Sequence, residues 1–219
     1  MNPDRNPSTS SINIIITGTL DYYTALALQT RERDRLIQKK SGGAVIFLEH
    51  DPGVITLGRR ASRDNILLAE DELEKKGYQI RFASRGGDVT VHEKGQMVAY
   101  FILPVQSKKA GFFIDSLMGM VTDSIIGHWG LKVWFDRSRP GIWIDDRKLA
   151  SVGFDLTGQA SMHGLALNVC NSLDGFRYIN PCGVSSATMT TLERELGRKI
   201  DVAEAIRLLS EDFRRNFET

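Results

Sequence analysis

Cysteine is scarce in this chain, with Cys170 and Cys182 the two among 219 residues. That scarcity excludes a disulfide scaffold and predicts reduced thiols in a cytoplasmic protein, at least one of them open to chemistry. A surplus of charge of either sign is also missing. Lysine and arginine number 28 against 27 acidic residues, a formal net charge of +1, so the broad electrostatic footprint of a nucleic-acid binder is absent. Long apolar runs are lacking too. Met97 to Val105 and Ala44 to Leu48 fall far short of the roughly 20 residues that cross a membrane, and no membrane is expected. Residues 1–11 are polar, with Pro3 and Pro7 and no apolar centre, which reads as a flexible arm rather than an export signal.

What is present is the composition of an ordinary globular protein, 42% hydrophobic and 25% charged, long enough for one domain over 12–219 with a sizeable core. Asn13 to Thr17 is a β-branched run suited to a strand, and Asp21 is placed to cap a helix running to about Lys40. Ala44 to Glu49 and Val54 to Leu57 read as two strands joined by His50-Asp51-Pro52-Gly53, a hairpin or near-hairpin. A short helix over Ala69 to Lys76, stopped by Gly77, precedes strands at Tyr78 to Ala83, Val89 to Val91 and Met97 to Leu103. Phe112 to Trp129 has helical spacing, and Leu131 to Phe135, Ile142 to Ile144, Leu149 to Leu156 and His163 to Val169 suit strands. Helices over Thr190 to Leu196 and Val202 to Phe217 close the chain, the latter with Ala203, Ile206, Leu209 and Phe213 on one face. Mixed order without regular βαβ alternation predicts an α+β domain with a mixed, largely antiparallel sheet flanked by helices.

Cys182 lies in Asn180-Pro181-Cys182-Gly183, where proline restrains one side and glycine frees the other, placing the thiol on a tight turn. It is either a covalent acyl carrier, since a thiolate attacks thioesters well and leaves well, or a small loop thiol. Cys170 ends the run Leu165 to Cys170 and reads as packing. Lys148 heads a strand of otherwise apolar body, so its ammonium either faces a cavity or is solvated at a hairpin. Beside Cys182 it would favour the thiolate, and once neutral it could take a proton from an attacking amine. In Arg85-Gly86-Gly87-Asp88-Val89-Thr90-Val91-His92 the glycines let backbone approach a thioester or an anion. The spacing is neither a Walker loop nor a dinucleotide fingerprint, and a plain hairpin connection is the alternative. His92 and His163 lack Cys or His partners at ligand spacing, so no metal is expected. Arg59, Arg60, Arg63, Lys108 and Lys109 are either solvated surface or a local patch that steers an acidic partner.

Together these segments resemble the lipoyl(octanoyl) transferase family. The likeness runs through Tyr22 to Gln29, Leu48 to Arg59, Arg85 to His92, Gly95 to Tyr100, Lys148 to Gly153, His163 to Val169 and Pro181 to Gly183. It covers about Gly18 to Leu192, and the 34 positions between Lys148 and Cys182 look like the family's own spacing. The resemblance implies that Cys182 is the acyl-thioester nucleophile and that Lys148 lowers its pKa. It further implies an acyl site lined by Arg85, Gly86, Gly87, Asp88, Val89, Thr90, Val91 and His92, by Ser151, Val152 and Gly153, and by Gly164, Leu165 and Ala166. Two departures stand beside His92: the family usually has tyrosine at Val91 and Gly-Pro at Glu93-Lys94.

The implied fold is that of biotin and lipoate protein ligases. The implied reaction takes an octanoyl group from octanoyl-acyl carrier protein, through Cys182, to the target lysine of apo lipoyl domains of 2-oxoacid dehydrogenases and of the glycine cleavage H protein. It implies no cofactor and a monomer. Two rivals keep the same fold or surface: a lipoate or biotin ligase working through an acyl-adenylate, and a non-catalytic lipoyl-domain binding module.

Overall fold

In the computed structural model, which describes residues 11–180 and 189–217, the run of β-branched residues becomes β1 (Ile12–Leu20), paired in parallel with β2 (Gly43–His50). A parallel pair needs a crossover, and α1 (Tyr22–Ile37) supplies it. Asp21 starts that helix by accepting from the Tyr23 and Thr24 N–H groups at 2.9 and 3.1 Å, which satisfies donors that the first turn leaves open.

β2 pairs antiparallel with β6 (Gln96–Ile102), β6 with β10 (Met162–Asn168), and β10 with β9 (Arg147–Asp155). β8 (Gly141–Ile144) and β7 (Trp134–Asp136) complete a seven-stranded sheet of order β1-β2-β6-β10-β9-β8-β7. Alternation along the central strands sends Val45, Phe47, Ala99 and Phe101 to one face and Ala44, Ile46, Leu48 and Val98 to the other. The first face packs on α3 (Ala110–Trp129) and α5 (Val202–Phe217), the second on α1. α3 is long and apolar enough to cross a membrane, with mean hydropathy 1.2 over its window. Asp115 and Asp123 interrupt its apolar run. Its Leu117, Met118, Val121 and Ile125 lie in the main core. On α5 the buried stripe includes Val202, Ala205, Ile206, Leu209 and Phe213, so Ala205 takes the place expected of the exposed Ala203.

A second sheet of order β4-β3-β5 holds β3 (Gly53–Leu57), β4 (Tyr78–Phe82) and β5 (Val89–His92). β3 and β4 run parallel across α2 (Glu70–Lys75), and β5 returns antiparallel. The expected hairpin of β2 with β3 is therefore corrected. Both sides of β2 are already taken, by β1 and β6, and the Asp51-Pro52 corner sends β3 into the other sheet. The strand expected over Leu131 to Phe135 shortens and shifts to β7, the three residues Trp134 to Asp136 that pair with Trp143 to Gly141 of β8. Cys170 is not packing: β10 ends at Asn168 opposite the first residue of β6. The Gly95 carbonyl then accepts both the Val169 and Cys170 N–H groups, and the thiol is exposed. The short α4 (Leu192–Leu196) links the far side of the chain to α5.

Candidate active site

A cavity of about 540 Å³ opens where the small sheet meets β9 and β10. Its wall contains Lys148, Arg85 through Thr90, His92, Ser151, Val152, Gly153, Gly164, Leu165 and Ala166. Val91 is not in that wall. Its side chain packs in the core of the small sheet beside Ile55, Leu57 and Phe176, a core that Val89, nearer the loop, shares while also reaching the cavity. Cys182 lies outside the described residues.

Arg85 is buried beneath the cavity, and all five of its N–H bonds have partners. Nε and Nη2 donate to Thr56 Oγ1 at 3.2 and 2.7 Å, Nη2 also to the Thr56 carbonyl at 2.7 Å, and Nη1 to the Gly86 and Asp88 carbonyls at 3.1 and 2.8 Å. Every acceptor is neutral, and burial lowers the guanidinium to about 10, so it stays charged at neutral pH. Arg85 thus braces the glycine loop from within. The loop is tied from outside by the Gly86 N–H to the Phe154 carbonyl at 2.8 Å, so that peptide N–H does not point freely into the cavity.

Beside Arg85 lies a cluster of neutral polar side chains. His50 Nδ1–H donates to the Leu20 carbonyl at 3.1 Å, so in the neutral ring Nε2 accepts from the Tyr100 hydroxyl at 2.7 Å. His92 Nδ1 meets Gln96 Oε1 at 2.9 Å, and His163 Nε2 meets Ser84 Oγ at 3.1 Å. Burial pushes His50 and His163 down to about 4 and His92 well below its ordinary value, with Arg85 adding to the effect on His92 and His163. His163 is left-handed, φ 61°, and its N–H donates to Gln29 Oε1 at 2.9 Å. Gly164 follows because a Cβ there would stand 2.5 Å from the Ala99 carbonyl oxygen. Tyr22, Gln29, His50 and Tyr100 had no role assigned from sequence. The available signal was the buried stripe of α1, Tyr22, Ala25, Gln29 and Glu32, which is half polar.

Lys148 owes its direction to a β-bulge. Ala150 pairs with Ile142 and Lys148 with Trp143, leaving Leu149 extra on β9. Leu149 and Ala150 both enter the core, while Lys148 and Ser151 both reach the cavity, a pattern that strict alternation forbids. The Lys148 backbone also moors the chain beyond Cys182: its carbonyl accepts the Thr190 N–H at 3.0 Å, and Met189 bridges to it. On the other side of the segment, Ile179 bridges to Ile66 and the Asn180 N–H donates to the Asn65 carbonyl at 2.8 Å.

Further upstream, Glu93 fixes the same stretch. This buried carboxylate accepts from Asn171 Nδ2 and the Leu173 N–H, both at 2.9 Å, from the Gly175 N–H at 3.2 Å and from the Tyr78 hydroxyl at 2.5 Å. Burial, with the Glu93 hydrogen bond, raises the Tyr78 phenol. Glu93 is thus an anchor, not part of the cavity wall.

Solved structures place this architecture in a known class, the biotin and lipoate protein ligase fold. A lipoate protein ligase of T. acidophilum described as putative, with bound lipoic acid, superposes with a TM-score of 0.74 at 13% identity, covering 95% of this chain and 86% of that one. A biotin protein ligase from Aquifex aeolicus gives 0.51 at 13% identity, covering 94% and 70%. Residues 21–214 match the lipoyl protein ligase A/B catalytic domain, and the chain belongs to that family. Among curated relatives, octanoyltransferases of Myxococcus xanthus and Caldicellulosiruptor bescii are each 34% identical, over 96% and 89% of this chain. The chain spans 86% of the C. bescii protein, 60% of the M. xanthus protein and 43% of an octanoyltransferase from Porphyromonas gingivalis.

Proposed function

We propose that the protein is an octanoyltransferase that carries its acyl group on Cys182. The observation that supports this most is the double use of Lys148, whose side chain lines the cavity while its main chain moors the segment that bears Cys182. The Cys182 thiolate attacks the thioester carbonyl of octanoyl-acyl carrier protein, forming one C–S bond and breaking the other. The Lys148 ammonium gives its proton to the departing thiol. The acceptor lysine's amine then attacks the Cys182 thioester, a C–N bond replaces the C–S bond, and neutral Lys148 takes the amine proton, restoring the starting pair. Passage from thioester to amide is downhill and calls for no nucleotide. Buried Arg85 gives the cavity a positive potential suited to the oxyanion of each tetrahedral step. Arg59, Arg60, Arg137 and Arg139 at the cavity suit an acidic carrier, and the acceptors are apo lipoyl domains of 2-oxoacid dehydrogenases and the glycine cleavage H protein.

Intact-mass measurement after mixing with octanoyl-acyl carrier protein tests the reading. One octanoyl adduct is expected on the parent and on Cys170→Ser, because the partial burial left to this surface residue and its acidic neighbours raise the Cys170 thiol and leave it a poor nucleophile. No adduct is expected on Cys182→Ala, and Lys148→Ala is expected to abolish transfer. Strict ATP dependence would instead mark an adenylate-forming ligase. Absence of any adduct on the parent would mark a lipoyl-domain binder.

A further inference from the structure

Lys148 rests on two neighbours that the transfer chemistry does not itself require. The bulge at Leu149 sets it opposite Trp143, with Nζ 5.4 Å from the centre of the indole ring. That ring is 1% exposed and pinned by its own N–H, which donates to the Arg139 carbonyl at 3.2 Å. Gly141 leaves the space that the lysine stem crosses: a Cβ there would stand 2.3 Å from Lys148 Cε. A second cation lies over the same indole, since Arg139 Cζ is 4.2 Å from its centre while Nε donates to Asp136 at 2.9 Å.

We propose that Trp143 is the positioning residue for Lys148: the indole and the open floor at Gly141 hold the ammonium toward the cavity, and Arg139 tunes how readily it gives up its proton. A lysine has a long stem with many rotamers. An aromatic face attracts the ammonium but not the neutral amine, so the ring fixes the position and favours the charged form. Arg139 opposes that preference by like-charge repulsion. Among the described residues, the other charged groups around Lys148 are Arg59, Arg60, Arg85, Asp88 and Arg137 of the same cavity, Asp136 against Arg139, Asp145, Asp146 and Arg147 of the β8–β9 turn, and Glu195 of α4. Arg147 pairs with Glu195 at 2.8 Å and with Asp145 at 3.5 Å, so it offsets one of the three acidic charges of the turn and α4, and the remaining acidic background is common to the parent and to every Trp143 and Arg139 variant.

The inference rests on the acyl-transfer reading above, and the test separates the two. Full-length protein is loaded with one octanoyl group and mixed with excess apo lipoyl domain, and the single-turnover rate is followed against pH. The rate rises with pH as Lys148 becomes able to accept the amine proton. Trp143→Leu is expected to lower the limiting rate about tenfold and to move the midpoint of the rise to lower pH, as the ammonium loses its aromatic face. Trp143→Phe keeps an aromatic face and is expected to stay within about threefold of the parent with its midpoint unmoved. Arg139→Met, on a side chain 48% exposed and so tolerant of change, is expected to move the midpoint to higher pH. It carries the test if Trp143→Leu does not fold. Parental rate and midpoint in Trp143→Leu, equal impairment of both Trp143 variants with unmoved midpoints, or an unmoved midpoint in Arg139→Met would each overturn the proposal. Transfer at the parental rate by Lys148→Ala would overturn the reading beneath it.

Discussion

Two buried ions of opposite sign flank β5, Arg85 before it and Glu93 directly after it. Both are hydrogen-bonded by neutral groups alone, the cation by two carbonyls of its own loop and by Thr56, the anion by peptide N–H groups, a carboxamide and a phenol. They differ in what they face. Arg85 lines the cavity, so its charge is felt there and helps keep His92 and His163 neutral. Glu93 turns away from the cavity and ties Asn171 to Gly175, on the approach to Cys182. The same device, a buried charge solvated by protein dipoles, provides potential in one place and anchorage in the other.

The comparison breaks most visibly at the cation. Arg85→Met removes five hydrogen bonds to four oxygen acceptors of the loop and Thr56, and a loss of about 3 kcal/mol in urea unfolding is expected together with loss of transfer. Glu93→Leu strands four donors at a distance from the cavity. It is expected to cost about 2 to 3 kcal/mol, while protein that remains folded keeps the pH dependence of the transfer step.

Smaller effects sharpen the contrast. The folded state holds His50 and His163 neutral, with values near 4 against an ordinary 6.5. Below 6.5 the unfolded chain therefore binds more protons, and stability falls with pH until about 4, each ring contributing about 1.4 kcal/mol per pH unit. His163→Asn, whose side chain tolerates the left-handed backbone, is expected to reduce that slope by about one ring's share in melts taken between pH 4.5 and 6.5. Thr56→Val removes the hydroxyl that accepts twice from Arg85. It is expected to cost about 1 kcal/mol by the same unfolding measurement, with the histidine slope retained.

Most of the architecture was legible in the chain. Short apolar runs mark β2, β6 and β10, helical spacing marks α3 and α5, and Asp21 marks the start of α1, because each follows from local geometry. Pairing was less legible: the Asp51-Pro52 corner reads as a hairpin turn until β1 and β6 are seen on both sides of β2. The bulge at Leu149 is silent in sequence because Leu149 and Ala150 are both apolar. Val91 sits inside a motif that otherwise lines the cavity, and its packing against Ile55, Leu57 and Phe176 becomes visible only once the small sheet is assembled. Glu93 stood out only as a departure from the family pattern, and its four partners come from residues 78 and 171–175. Gln29 and Trp143 read as ordinary helix and strand residues, since their significance lies in long-range contacts with His163 and Lys148.

The mooring of Thr190 on the Lys148 carbonyl has a consequence for genetics. A peptide carbonyl survives any exchange of the side chain it follows, so an alanine at position 148 removes the ammonium and leaves the tether in place. Chemistry and architecture, joined at one residue, are thus separable by mutation. An allele at this position that loses transfer yet keeps its fold reports on the proton, whereas a proline at Thr190, which deletes the N–H itself, reports on the rope.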